Sequence, residues 1–243
     1  LSRTMTHASA YLLGKYRQPV KQLWSVLSKR VFKVTTILGL VWFISIPWIQ
    51  RFFHTDNSTL FLVFIPVWVI SAISAVNGGF LSGNLVFTIL AITAVVEALS
   101  KLVFTTIFIT FNFQNFLYVA TPLSMLIVLW IETSQIRRLK SSIKPDQIEG
   151  RDLKLSKKFY LTSILTTLTK ATYLGLDVVL AKHFLSPEQA GSYSYIALAG
   201  KMVFFLSTMF SQFLIPYVSR DIGAGRSPKK TFIKLLVLIK LVN

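Results

Sequence analysis

The chain has 243 residues, of which 53% are hydrophobic and only 14% charged; it has no cysteine and a formal net charge of +17. A soluble domain is roughly one quarter charged, so this much apolar surface calls for lipid, and disulfides, thiolate metal sites and cysteine nucleophiles are excluded. The positive excess does not read as a nucleic-acid surface, because 20 of the 26 Lys and Arg fall in three short segments between apolar runs: Arg3 to Lys33, Arg137 to Lys158 and Arg220 to Lys234.

In chain order, six apolar stretches are long enough to predict membrane spans: Val34 to Gln50 with a short extension, Leu60 to Leu81, Val86 to Phe111, Phe116 to Ile131, Phe159 to Ala181 and Gly191 to Val218. In hydrocarbon every backbone amide needs a partner within its segment, and uninterrupted runs of this length predict helices rather than the alternating strands of a barrel. The expected fold is all-α, a polytopic transmembrane helix bundle. Pro47, Pro66, Pro122 and Pro216 are candidate kinks, tolerated in such helices. Trp48, Tyr118, Trp130, Tyr160, Tyr193 and Tyr217 fall near the expected interfaces.

The segments before the first stretch, after the fourth and after the sixth carry seven, eight and five Lys or Arg, whereas the alternate connections carry one or none apart from Arg51 and Lys182 at their edges. The positive-inside rule makes the basic segments cytoplasmic and the protein a multi-pass membrane protein. Ser134 to Lys158 is the long polar segment that divides the chain. Residues 1–133 then form part of an N-terminal lobe, a basic cytoplasmic segment plus four spans. Residues 134–158 form a cytoplasmic linker, and residues 159–243 the start of a C-terminal lobe with two spans and a truncated third. Ser186-Pro187-Glu188 and Ser227-Pro228 each place a capping residue before Pro and predict the starts of two helices. The chain opens at Leu1 without Met and stops at Asn243 inside a short apolar run from Thr231, which predicts an internal piece of a longer protein.

Charged residues in mid-membrane normally face a cavity or a partner. Glu97 and Lys101 stand one turn apart in the order that favours an ion pair, with Thr93 and Thr105 on the same line. They are candidates for ion coupling or for a self-neutralising structural pair. Ser163, Thr166, Lys170, Tyr173 and Asp177 recur at intervals of three and four and predict one polar helix face. Lys170 and Asp177 lie about 10 Å apart along the axis, too far to bond. Ser194, Lys201, Thr208 and Gln212 form a second polar stripe. Two arrangements follow: a water-filled, cation-rich substrate cavity at the midplane, or a structural Asp177 to Lys201 salt bridge. Lysines there would suit phosphate charge.

Ser71, Ala75, Gly79 and Gly83, at steps of four, predict a close-packing face. His7, His54 and His183 lack metal-ligand spacing, and no catalytic triad is evident, so no catalytic or metal-binding residue is expected. Gly223-Ala-Gly225-Arg226-Ser227 superficially matches a phosphate loop but lacks the Gly-Lys-Ser/Thr ending, and reads as a turn. Asn57-Ser58-Thr59 matches a glycosylation sequon.

The run Tyr-Leu-Gly-Leu-Asp-Val-Val-Leu-Ala-Lys-His-Phe-Leu-Ser-Pro-Glu-Gln-Ala-Gly-Ser-Tyr from Tyr173 is followed by Ile215-Pro216-Tyr217-Val218-Ser219-Arg220. Together with Asn77-Gly78-Gly79-Phe80-Leu81-Ser82-Gly83-Asn84 and Phe87, it resembles the bacterial polysaccharide flippases. These are the Wzx-like (O-antigen and teichoic acid type) members of the multidrug, oligosaccharidyl-lipid and polysaccharide exporter superfamily. The resemblance implies a two-lobe exporter fold of about 12–14 helices, of which this chain would hold the third to eighth. It also implies flipping of a polyprenyl-diphosphate-linked oligosaccharide from the inner to the outer leaflet, for polysaccharide biosynthesis. Lys170, Asp177 and Lys201 would lie on cavity-lining helices, and Glu97, Lys101 or Asp177 could couple transport to H+ or Na+, with no other cofactor. The implied partners are membrane lipid, the lipid-diphosphate-linked oligosaccharide and other polysaccharide-assembly proteins. The alternative is an ion-coupled multidrug or metabolite antiporter of the same superfamily. An enzyme such as a membrane-embedded polysaccharide polymerase would need substantial outer loops, and His54 to Thr59 is six residues long.

Overall fold

A computed structural model of the chain describes residues 1–55, 58–139, 157–209 and 213–242. Within these, the regular structure is helical: α1 Ser2–Tyr16, α2 Lys21–Phe53, α3 Ser58–Gly83, α4 Phe87–Thr110, α5 Ala120–Arg138, α6 Lys157–Phe184, α7 Pro187–Met209, α8 Leu214–Gly223 and α9 Lys229–Val242. A short 3-10 helix, Gln114–Val119, leads into α5. Most of the expected 134–158 linker, Asn57 of the sequon and Gln212 lie outside the described residues.

Five helices, α2 to α6, are long and apolar enough to cross a membrane, which gives the chain the build of a multi-pass membrane protein. Large apolar side chains cover their outer faces: Ile37, Leu40 and Ile44 on α2, Leu99 and Leu102 on α4, and Trp130 on α5 are all exposed. In water such a belt would be a severe aggregation hazard; against lipid it costs nothing. Pro47 and Pro66 sit inside α2 and α3. Pro122 and Pro216 fall in the first turns of α5 and α8, where a missing amide hydrogen breaks no helical bond.

The sixth stretch, Gly191 to Val218, departs from expectation. Its described residues form α7 to Met209 and α8 from Leu214, with residues 210–212 outside the described ones, and α7 is not among the described helices apolar enough to span. Helix α7 carries Glu188, Gln189, Ser192 and Ser194 in its first half and Lys201 beyond its midpoint, which dilute its hydropathy. Ser186 and Gln189 cap its start reciprocally, each backbone N–H donating to the other's side-chain oxygen at 3.4 Å.

A second departure is the segment before the first span, expected as a basic cytoplasmic stretch. It is the helix α1, inserted between α3 and α8, with Thr4, Met5, Thr6, Ser9, Ala10 and Leu12 buried. Backbone-to-backbone proximity allows this. A Cβ on Gly79 would come 2.6 Å from the Ser2 carbonyl oxygen, and one on Gly83 2.5 Å from the Ser9 Cβ. On the other side, Gly14 of α1 lies against the Arg220 carbonyl of α8, and Gly223 of α8 against that of Tyr11. The small-residue face of α3 is thus a packing face, and α1 is what it packs on.

The same end of the bundle holds the main apolar cluster: Met5 and Leu12 of α1, Val20 before α2, Leu23, Leu27 and Val31 of α2, Val76, Phe80 and Leu81 of α3, and Ile136 of α5. At 1.5 Å per residue α2 is about 50 Å long, roughly 20 Å more than a hydrocarbon core, so its first turns stand in this cluster while its remainder faces lipid. His7, on α1, bonds through Nδ1 to the Ser219 hydroxyl at 2.7 Å and stacks on Phe159 with ring centroids 4.2 Å apart. Burial holds the His7 imidazole below its ordinary value of 6.5 and keeps it neutral.

Candidate functional site

Two groups of polar side chains sit on the spanning helices, one on the α6–α7 hairpin and one enclosed by α3, α4 and α5. On the hairpin, Lys201 Nζ donates to Asp177 Oδ1 at 3.1 Å, and the Tyr193 hydroxyl approaches Asp177 Oδ2 at 3.5 Å. About two turns of helix closer to the start of α6, Lys170 Nζ lies 5.0 Å from the centre of the Phe204 ring, and the Tyr173 ring lies 6.2 Å from the same ring. Lys170, Tyr173 and Asp177 of α6 therefore meet Phe204, Lys201 and Tyr193 of α7, as one polar helix face requires. Ser163 is buried, and Thr166 is exposed with its hydroxyl donated to the Thr162 carbonyl.

The arrangement is neither a dry salt bridge nor a bare pair of cations. Asp177 and Lys201 keep 32% and 18% of their side chains exposed, so their bond is not sealed inside the described helices. Asp177 takes the cation from α7, and among the described residues Lys170 meets the face of the Phe204 ring. An ammonium held over a ring is attracted by about 0.5–2 kcal/mol, weakly enough to be redirected to an incoming anion.

The hairpin meets the earlier helices at its ends. At one end Phe159 stacks on His7. At the other the His183 ring stacks on Phe52 at 4.3 Å, its Nδ1 lies 2.8 Å from the Phe52 carbonyl oxygen, and His54 lies at 5.5 Å. Between these ends Leu161, Leu165, Leu168 and Tyr173 are exposed.

The second group lines a cavity of about 230 Å³ formed by Ser74 of α3, Leu90, Thr93, Ala94 and Glu97 of α4, and Met125, Val128 and Glu132 of α5. Glu97 turns into this cavity, while Lys101 is exposed, and neither belongs to an ion pair among the described residues. The expected one-turn pairing is replaced by a meeting of two carboxyl groups. Glu132 is 5% exposed and its Oε2 has no hydrogen-bond partner. Beside it runs a closed polar chain: Trp24 Nε1 donates to Asn77 Oδ1 at 2.7 Å, and Asn77 Nδ2 donates to Thr133 Oγ1 at 3.1 Å. Asn77 is fully buried.

Glu132 was not foreseen as a site residue. It stands one residue past the expected end of the fourth span, Phe116 to Ile131, and two before the polar segment that begins at Ser134. The usable signal was Ser124, Val128 and Glu132 at helical steps of four, all of them buried. Ser194 donates its hydroxyl to the Ala190 carbonyl, within its own helix. Nothing is described for the side chain of Thr208. Among the described residues there is no cluster of three or more His, Asp or Glu that could hold a metal ion.

Comparison with protein-family models, with curated proteins and with solved structures finds no match to this chain.

Proposed function

We propose that the chain belongs to a transporter of the plasma (inner) membrane that flips a polyprenyl-diphosphate-linked oligosaccharide from the inner to the outer leaflet for polysaccharide biosynthesis. In this proposal it forms part of a two-lobe exporter of the Wzx-like type, with basic loops cytoplasmic. The observation that carries it is the hairpin face: Lys201 bonded to Asp177 beside Tyr193, and Lys170 over the Phe204 ring beside Tyr173, on helices that also present exposed leucines. Cations retained at membrane depth and not sealed inside the described helices suit a ligand whose charge is a diphosphate. The motif resemblance from Tyr173 to Arg220 supports the same direction.

The test is reconstitution of the full-length protein and measurement of leaflet exchange of a lipid-linked oligosaccharide. Lys170→Ala and Lys201→Ala, each expressed at the normal level, are expected to slow exchange about tenfold or more, the cost of roughly one charge-assisted contact. Undiminished exchange in both would remove the cavity from the mechanism.

A second proposal, an ion-coupled multidrug or metabolite antiporter, is favoured by one observation, the meeting of Glu97 and Glu132 in one cavity. Two carboxyl groups in a confined space favour a shared proton or a monovalent cation. Transport of cationic drugs that needs Glu97 and Glu132 but tolerates loss of Lys170 would select it.

A further inference from the structure

A further cavity lies apart from both groups, at the end of the bundle where Lys15, Arg17, Arg220 and Arg226 gather. It measures about 740 Å³ and lies between the C-terminal ends of α1 and α8, lined by Lys15 and Arg17 from the first and by Arg220 and Arg226 from the second. Gly14 and Gly223 bring the two helices together here, so four cationic side chains from distant parts of the sequence share one hollow.

Among the described carboxylates, Asp221 stands beside this hollow: its Oδ2 accepts from the Thr231 hydroxyl at 2.5 Å and its Oδ1 stands 3.9 Å from Arg226 Nε. Arg220 lies over the Tyr217 ring at 5.5 Å, and its buried Nε has no hydrogen-bond partner. A buried guanidinium N–H without an acceptor is a donor prepared for one.

We infer that this hollow binds a phosphate-bearing anion, held by Arg17, Arg220 and Arg226 at the membrane surface. Guanidinium groups recognise phosphate oxygens through paired N–H donors, and basic pockets beside spanning helices suit anionic headgroups. The cavity volume is within the range of small-ligand sites. The turn from Gly223 to Ser227, with Gly225 at φ +70°, supplies Arg226 to the site. It therefore contributes to anion binding through a side chain rather than through a backbone cradle. The bound phosphate would join α1 to α8 across the gap that Gly14 and Gly223 make narrow. The site is separate from the hairpin and does not depend on what the protein transports.

The phosphate can come from a bilayer lipid or from solution, and the experiment separates the two. The full-length protein is placed in nanodiscs of phosphatidylcholine alone, of phosphatidylcholine with cardiolipin, or of phosphatidylcholine with inorganic pyrophosphate in the buffer. Retained lipid is counted by native mass spectrometry and the melting temperature is recorded. The wild type should melt higher with cardiolipin or with pyrophosphate, and the arm that acts identifies the source. The double variant Arg17→Gln, Arg226→Gln, whose side chains are exposed and not needed for packing, should bind the active probe about tenfold more weakly or worse. The control variant Arg51→Gln, Lys182→Gln, at the opposite helix ends, should bind it as the wild type does. Equal stabilisation of wild type and double variant, an equal loss in the control, or no response to either probe overturns the inference.

Discussion

The end of the bundle built by α1, α3 and α8 and the hairpin of α6 and α7 solve opposite problems with the same helical material. In the first, glycines bring backbones into contact, apolar side chains fill the interior, and Asn77 is satisfied on both of its ends. In the second, Gly175, Gly191 and Gly200 have no atom near enough to meet a Cβ, and the charged groups are not sealed inside the described helices. Small residues therefore carry structural weight only where another backbone arrives, and a buried polar group is tolerated where its partners are already in place. The first region can hold the protein together while the second remains free to exchange partners.

This contrast can be broken most sharply at the glycines. Gly83→Leu should destabilise the protein by about 3 kcal/mol or more, because Ser9 and the α1 backbone cannot retreat, whereas Gly175→Leu should stay within about 0.5 kcal/mol. Thermal unfolding in detergent measures both, and equal losses would erase the distinction. Next in size, Trp24→Phe leaves the fully buried Asn77 Oδ1 without its donor and should cost about 1–3 kcal/mol in the same measurement. Lys201→Met in the hairpin should change the melting temperature less than Trp24→Phe does, because water replaces the lost partner of Asp177. A larger loss there would mean that the hairpin is held by its ion pair.

The smallest effect is a pH dependence at His7. Burial lowers its folded value below 6.5, so the unfolded chain binds the extra proton first. Stability is then fully present above about pH 6.5 and falls as the pH drops below it, by at most about 1.4 kcal/mol per pH unit. His7→Gln should flatten that slope in melting curves recorded from pH 7 down to about pH 5. An unchanged slope would place the titration elsewhere.

These sites differ in how far they could be read from residues alone. Long apolar runs announce α2 to α6, because lipid demands a hydropathy that few other environments do. The polar face of α6 was legible from its three-and-four spacing, and an Asp177 to Lys201 bridge stood among the arrangements that spacing allowed. Helix α1 was not legible. Thr4, Thr6, Ser9 and Ala10 are small and mostly polar, and they are buried because α3 and α8 approach closely. Hydropathy along a single segment does not register that approach. Glu97 showed the opposite difficulty. Its neighbour in sequence, Lys101, was visible, but its neighbour in space, Glu132, comes from another helix and stood next to a charged segment that hid it.

The ring stacks at the two ends of α6 have a mechanical consequence. His7 on Phe159 and His183 on Phe52 are two small latches on one rod. A stacked aromatic pair is worth only about 0.5–1.5 kcal/mol beyond its buried area. Opening either latch costs its stack, its buried area and one histidine hydrogen bond while the other serves as a pivot, and releasing both at once requires the sum. A helix fastened in this way swings from one end or the other more readily than it detaches.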